Sequence, residues 1–280
     1  MTDRTFIVTG GSGGLGKATS KELGRNGHTV VVNDLPTQEE NAAAIAESVE
    51  EAGGTATIHL GDVSNLEYTD ELINTVVDTY GRLDGVINYA GLLRDAYLTE
   101  MTASDWEDVI SVHLRGHFGL LRSAARLWSE TAEERSDPRS FVCVTSPSAL
   151  GNVGQANYSA AKAGVLGLMR TAATELEKFD IHVNALLPIA YTKMTENILD
   201  SDEYPPEKVA PVAAFLANAE ASDMTGCTVR AAGDSVGILS NPEVERVGFS
   251  SGGWNTDELY ERREQIFGDK SNRYRTNNQI

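Results

Sequence analysis

Three observations predict a doubly wound α/β fold, a parallel sheet with helices on both faces. Short apolar, β-branched runs alternate with alanine-rich helical segments through about the first 230 of the 280 residues. The strand runs are apolar throughout instead of alternating, as expected of strands covered on both faces. A glycine-rich turn joins the first strand to the first helix. The length is ordinary for one such domain and sufficient for a large core.

Each element has its own signal. Phe6-Ile7-Val8 reads as a buried strand, and Gly14 to Gly24 as a helix carrying Leu15, Ala18 and Leu23 on one face. Thr29 to Asn33 is the second strand. Glu39 to Ala52 is a helix stopped by Gly53-Gly54. Thr55 to Leu60, Leu66 to Tyr80 and Gly85 to Tyr89 follow as strand, helix and strand. A long helix is predicted from Ser104 to Trp128, opened by the capping-box pattern Ser104-Asp-Trp-Glu107. Phe141 to Thr145 is a strand, Asn157 to Phe179 a helix, and Ile181 to Leu187 and Thr228 to Ala231 the last strands. Residues 1–233 are thus expected to form the domain. Residues 234–280 are expected to be an extension, with one helical patch at Thr256 to Phe267, packing on the core or on a neighbouring subunit.

Composition excludes several function classes. Cys143 and Cys227 belong to no CxxC pair or Cys/His cluster, so neither a disulfide framework nor a metal site is expected. No run of about 18 apolar residues occurs, and the N-terminus lacks a basic region leading into an apolar one. A soluble, cytoplasmic protein is therefore expected. The net charge of −18 repels nucleic acid and anionic membranes. Only seven of the 23 basic residues are lysine, and this acidic, lysine-poor composition points to a salt-rich cytoplasm.

The turn Thr9-Gly10-Gly11-Ser12-Gly13-Gly14-Leu15-Gly16 carries the first chemistry. Glycines let the backbone approach a pyrophosphate, and the following helix offers free N–H groups and its positive dipole end. Asp34 ends the second strand, 18 residues after Gly16. A carboxylate there accepts hydrogen bonds from ribose hydroxyls and repels a 2′-phosphate, so NAD is expected over NADP.

Taken in order, TGxxxGxG at Thr9–Gly16, Asn88-Tyr-Ala-Gly91 after the fourth strand and Tyr158-Ser-Ala-Ala-Lys162 resemble the short-chain dehydrogenase/reductase family. The resemblance covers roughly residues 4 to 233 and implies a single Rossmann-type catalytic domain that interconverts an alcohol and a ketone. Physics supports the pair independently. Residues i and i+4 share a helix face, and an ammonium beside a phenol lowers a titration that lies ordinarily near about 10. Tyr158 is then expected to exchange a proton with the substrate oxygen near neutral pH.

The resemblance implies further roles. Lys162 would also hold the nicotinamide ribose, and Ser146 would hydrogen-bond the substrate oxygen. The family's usual spacing of thirteen residues before the tyrosine falls here on Thr145. Anchoring on the strand end selects Ser146, with Ser148 as the alternative. Cofactor contacts carry over onto Thr9, Gly10, Ser12, Gly14, Leu15, Gly16, Asp34, Asp62, Val63, Asn88, Ala90, Gly91, Pro188 and Thr192, besides Tyr158 and Lys162. Tyr89 stands where relatives have a second Asn, and Ile189 where they have a glycine after the proline. His113 occupies the place of a fourth catalytic residue, usually Asn, whose backbone carbonyl holds a water of the proton relay. His28, His59, His117 and His182 are scattered and receive no role.

Ser111-Val-His-Leu-Arg-Gly-His-Phe118 and Gly151 to Lys162 are similar to the dehydrogenase domains of the peroxisomal multifunctional β-oxidation enzymes, also called 17β-hydroxysteroid dehydrogenase type 4. The subgroup implies NAD and a (3R)-3-hydroxyacyl-CoA or hydroxysteroid substrate. The alternatives are a 3-oxoacyl-thioester reductase and, in another class, a non-catalytic NAD-binding regulator. Arg94, Arg115, Lys193 and Arg230 are candidates for meeting CoA phosphates. Kinship implies a homodimer or homotetramer assembled through the helices at 104–128 and 157–179.

Overall fold

The computed structural model describes residues 3–134, 137–218, 221 and 223–268. The chain divides into two compact units, Met1–Leu239 and Ser240–Ile280.

The first unit is built on an eight-stranded sheet of order β3-β2-β1-β4-β5-β6-β7-β8. Its strands are β1 (Thr5–Thr9), β2 (Thr29–Asp34), β3 (Thr55–Leu60), β4 (Gly85–Asn88), β5 (Arg139–Val144), β6 (Ile181–Ile189), β7 (Thr228–Ala232) and β8 (Ser235–Leu239). All pairings are parallel except β7 with β8. The order reverses between β1 and β4, and the carboxyl ends of the strands around that reversal form the crevice where such folds bind ligands.

Successive strand residues point to opposite faces. Phe6 and Val8 join one core cluster with Val30 and Val32, whereas Ile7 joins the other with Val31. On the first face lie α1 (Gly14–Arg25), α2 (Glu39–Glu51) and α7 (Ala210–Ala217). On the second lie α3 (Leu66–Tyr80), α5 (Gly116–Glu130) and α6 (Ala156–Leu176). Three layers follow from an apolar sheet with two buried faces.

The predicted long helix is interrupted in its winding. It runs as α4 (Ala103–Ile110), a π-helical turn at Ser111–Arg115, and α5. Its capping box is formed by Thr102 and Asp105, which exchange side-chain and backbone hydrogen bonds, and not by Ser104 and Glu107. The sequence reading also missed α7 and the antiparallel strand β8.

The second unit holds α8 (Thr256–Glu261), capped by the Asn255 side chain, and α9 (Arg263–Phe267). Arg262 lies over the Trp254 ring at 4.7 Å and donates to the Phe249 carbonyl at 3.0 Å.

Candidate active site

At the nucleotide end, the chain leaves β1 through a turn only glycine permits. Gly10 has φ +59°, and a Cβ on Gly16 would stand 2.2 Å from the Gly10 carbonyl oxygen. α1 begins with neither a side-chain cap nor an acidic residue in its first turn. Its leading N–H groups are thus left for an anionic ligand. Asp34 faces the same turn. One carboxylate oxygen accepts from the Ser12 hydroxyl at 2.5 Å and from its N–H at 3.1 Å, and the other accepts from the Leu35 N–H.

Asn88 ends β4 fully buried. Its Oδ1 accepts from the Thr9 hydroxyl at 2.5 Å, and its Nδ2 has no partner among the described residues. An orphaned buried donor beside a glycine turn, an uncapped helix end and a carboxylate together fit a dinucleotide. Thr9 also accepts from the Ala90 N–H. Thr192, after β6, lies against the turn: a Cβ on Gly14 would meet its methyl at 2.9 Å. Pro188 lies within β6, paired with Ala231, and Leu15 packs on the core cluster of the first face. Asp62 is exposed and closes a turn by accepting from the Ser64 N–H, while Val63 is buried in the core. Tyr89 reaches Thr19, with the two hydroxyls 2.9 Å apart.

The chemical end is assembled from three elements. α6 presents Tyr158 and Lys162 on one face, with Nζ 5.5 Å from the Tyr158 ring centroid. Ser146, two residues beyond β5, lies beside the Tyr158 hydroxyl and draws its titration down, while its Oγ accepts from the Ser148 N–H at 3.2 Å. Ser148 is engaged elsewhere, donating to Gln155 at 2.9 Å. From the π-helical turn, His113 packs edge-on against the Tyr158 ring, centroids 5.0 Å apart. Its Nε2 lies 2.8 Å from the Leu92 carbonyl, and its Nδ1 is buried without a partner among the described residues. Gly91 makes room for this imidazole, since a Cβ there would stand 2.3 Å from its Cε1.

Burial bears on both members of the pair, an influence the sequence does not show. Burial, acting first, pushes the phenol up, and Ser146 only partly opposes it. Burial acts on Lys162 as well and lowers it to about 7, so much of its charge is lost near neutrality. The His113 carbonyl accepts from His117 Nδ1 at 2.6 Å, which leaves its second lone pair for the expected relay water. His117 received no role from the sequence, yet it is fully buried and its Nε2 accepts from the Val144 N–H at 3.1 Å. Burial drives His117 down to about 3 and holds His113 well below the ordinary imidazole value, so both stay neutral. Among the described residues no cluster could hold a metal ion, and no helix is long and apolar enough to cross a membrane.

Comparison with known proteins agrees with this geometry. The short chain dehydrogenase family matches residues 4–203. A hydroxyacyl-CoA dehydrogenase of Mycobacterium tuberculosis, ChsB1, is 35% identical over 92% of this chain and 87% of its own. The mouse peroxisomal multifunctional enzyme type 2 is 35% identical over 80% of this chain and 31% of its own. A 3-oxoacyl-[acyl-carrier-protein] reductase of Synechocystis is 37% identical over 84% of this chain and 98% of its own. The crystal structure of a short chain dehydrogenase from Mycobacterium avium superposes with TM-score 0.88 at 32% identity, covering 95% of this chain and 96% of that one. With its glycine turn, its Tyr158–Lys162 pair and its eight-stranded sheet, the chain belongs to the short-chain dehydrogenase family and is an oxidoreductase.

Proposed function

We propose that this protein is an NAD-dependent dehydrogenase that oxidises a secondary alcohol carried on an apolar chain, a (3R)-3-hydroxyacyl-CoA in the first place. The observation that carries the reading is the Tyr158 hydroxyl beside Ser146, with Lys162 Nζ 5.5 Å from its ring centroid. NAD, held by the turn at Gly10–Gly16, Asp34, Asn88 and Lys162, supplies the hydride acceptor. Tyr158 and Ser146 bind the substrate oxygen. In its phenolate form Tyr158 would take the hydroxyl proton as the C–H electron pair passes to the bound cofactor as hydride and the carbonyl forms; burial keeps the resting phenol protonated, so its own proton leaves first, and the charged form of Lys162 favours the phenolate.

Asp34 supports NAD over NADP, because a 2′-phosphate would meet its carboxylate. Two adjoining segments support an apolar substrate. Ala96 bridges to Gln155, and Gln155 accepts from Ser148, so the segments that carry exposed Tyr97, Leu98, Leu150 and Val153 adjoin the one that carries Ser146. Of the basic candidates for CoA phosphates, Arg94 pairs with Asp108 and Arg230 with Ser235, while Arg115 and Lys193 are exposed. Kinship adds an oligomer formed through the long helices.

The test is a panel of (3R)- and (3S)-hydroxyacyl-CoAs, hydroxysteroids and simple secondary alcohols, each read as NADH formation, alongside 3-oxoacyl thioesters read as NADPH consumption. The reading expects turnover of (3R)-hydroxyacyl-CoAs with NAD. Efficient reduction with NADPH and none with NAD would replace it by the reductase.

A further inference from the structure

We infer that His117 is a positioning residue for Lys162: it holds the end of β5 where the Val144 carbonyl receives the ammonium. The inference rests on the reading of Tyr158 and Lys162 as the reacting pair.

The reason lies where β4 stops. Its last partner on β5 is Cys143, opposite Asn88. A strand residue points its N–H and C=O toward the same neighbour. The Thr145 N–H goes to Leu186 on β6, so the two backbone groups of Val144 face the side that β4 has left. Both are buried and need partners. His117 takes the N–H at 3.1 Å, and Lys162 Nζ donates to the carbonyl at 2.7 Å.

One tautomer satisfies both bonds of His117. Nδ1 must carry the proton to donate to the His113 carbonyl, and Nε2 must be bare to accept from Val144. The rigid imidazole therefore spans from the helix that presses His113 on Tyr158 to the strand that leads into Ser146. It sets the spacing of three elements whose side chains meet at one reacting oxygen. A filler of the same volume would keep the core and lose the spacing.

The titratable groups around the ammonium are His113 and His117 on the long helix, Cys143 on β5 and Tyr158 on α6; Asp95, in the loop after β4, acts on Tyr158. Burial keeps both imidazoles neutral and holds Cys143 up at about 12, so neither they nor the thiol titrate alongside Lys162 near neutrality.

The test uses the full chain in three variants, His117→Phe, His117→Gln and His117→Asn. Gln places an acceptor where Nε2 stands, whereas Asn keeps only the donor to His113. Lysine ε-carbon NMR on the cofactor-free protein, with Lys162 assigned through Lys162→Arg, follows the ammonium directly. Loss of the carbonyl bond removes a partner of the charged form. His117→Phe should therefore move the Lys162 midpoint down by about one pH unit. It should also lower kcat by roughly 10- to 100-fold, the effect of misplacing a reacting group by about 1 Å. Gln should restore both readings and Asn neither. Histidine nitrogen NMR should show His117 with Nδ1 protonated between about pH 5 and 9. A folded His117→Phe with an unmoved Lys162 titration and a wild-type kcat would overturn the inference. So would equal behaviour of Gln and Asn, or a protonated Nε2. A wild type inactive on every substrate would sink the proposed function, while the Lys162 titration would still decide the role of His117.

Discussion

Replacing Gly91 by alanine should damage the reaction through a residue that does not touch the substrate oxygen. The added methyl would stand 2.3 Å from His113 Cε1, where ordinary contacts lie at 3.4–4 Å. Gly91 is not among the residues of positive φ, so the backbone accepts alanine and the strain falls on the ring. That ring is 2% exposed, fixed by Leu92 and edge-on to Tyr158, so it cannot swing into solvent. It must move by at least about 1 Å, which disturbs its packing on the Tyr158 ring. Displacing a reacting group by that amount costs on the order of 100-fold in rate. Overpacking of this kind costs about 1–3 kcal/mol of stability. The assay is kcat on the best substrate of the panel, with thermal unfolding beside it. A Gly91→Ala enzyme with wild-type kcat would refute the claim that the His113 ring sets the position of Tyr158.

Other predictions concern single charges and hydroxyls. Lys162 titrates at about 7 in the folded chain against 10.5 ordinarily, so the unfolded chain binds more protons between those values and stability rises with pH across that window. At about 1.4 kcal/mol per pH unit, burying the ammonium costs on the order of 4–5 kcal/mol below pH 7. Lys162→Met should then be inactive yet more stable than wild type at pH 6. The gain should shrink as pH rises toward 10.5, and denaturant titrations at pH 6 and 9 check it. Asp34→Ala should raise KM for NAD and shift preference toward NADP by roughly tenfold or more, read from initial rates with both cofactors. Ser146→Ala should lower kcat by on the order of 100-fold, because it removes a donor aimed at the reacting oxygen. Ser148→Ala, whose hydroxyl serves Gln155, should stay within a few-fold of wild type.

Much of the fold was legible because its signals are local. The third strand, Thr55–Leu60, and the helix Leu66–Tyr80 have the bounds their apolar runs predict, the latter closed by Gly81 at φ +69°. The helix at Ala210–Ala217 was missed because its composition is apolar on every side, which leaves no stripe to read. The eighth strand had a signal that was overlooked: Gly233-Asp234 is a two-residue hairpin turn between apolar runs, with Gly233 at φ +51°. The π-helical turn at Ser111–Arg115 has no residue type that marks it.

The site divides in the same way. Tyr158 and Lys162 are four residues apart on a helix, so spacing alone puts them on one face. The strand end alone pointed to Ser146 over Ser148; the fold adds that the Ser148 hydroxyl donates to Gln155, which spacing does not show. The role of His117 depends on where β4 ends relative to Val144, a relation between distant segments that no spacing along the chain encodes. The sequence shows the ammonium near Tyr158 but not the depth of burial, which pushes the phenol up.

The most direct test of the account is Tyr158→Phe, which removes one oxygen and keeps the ring packed on His113. Calorimetry should find NAD binding within a few-fold of wild type, while turnover of the best alcohol falls by at least about 1,000-fold. A Tyr158→Phe protein that still oxidises the alcohol at an appreciable rate would contradict the central claim that this hydroxyl carries the proton.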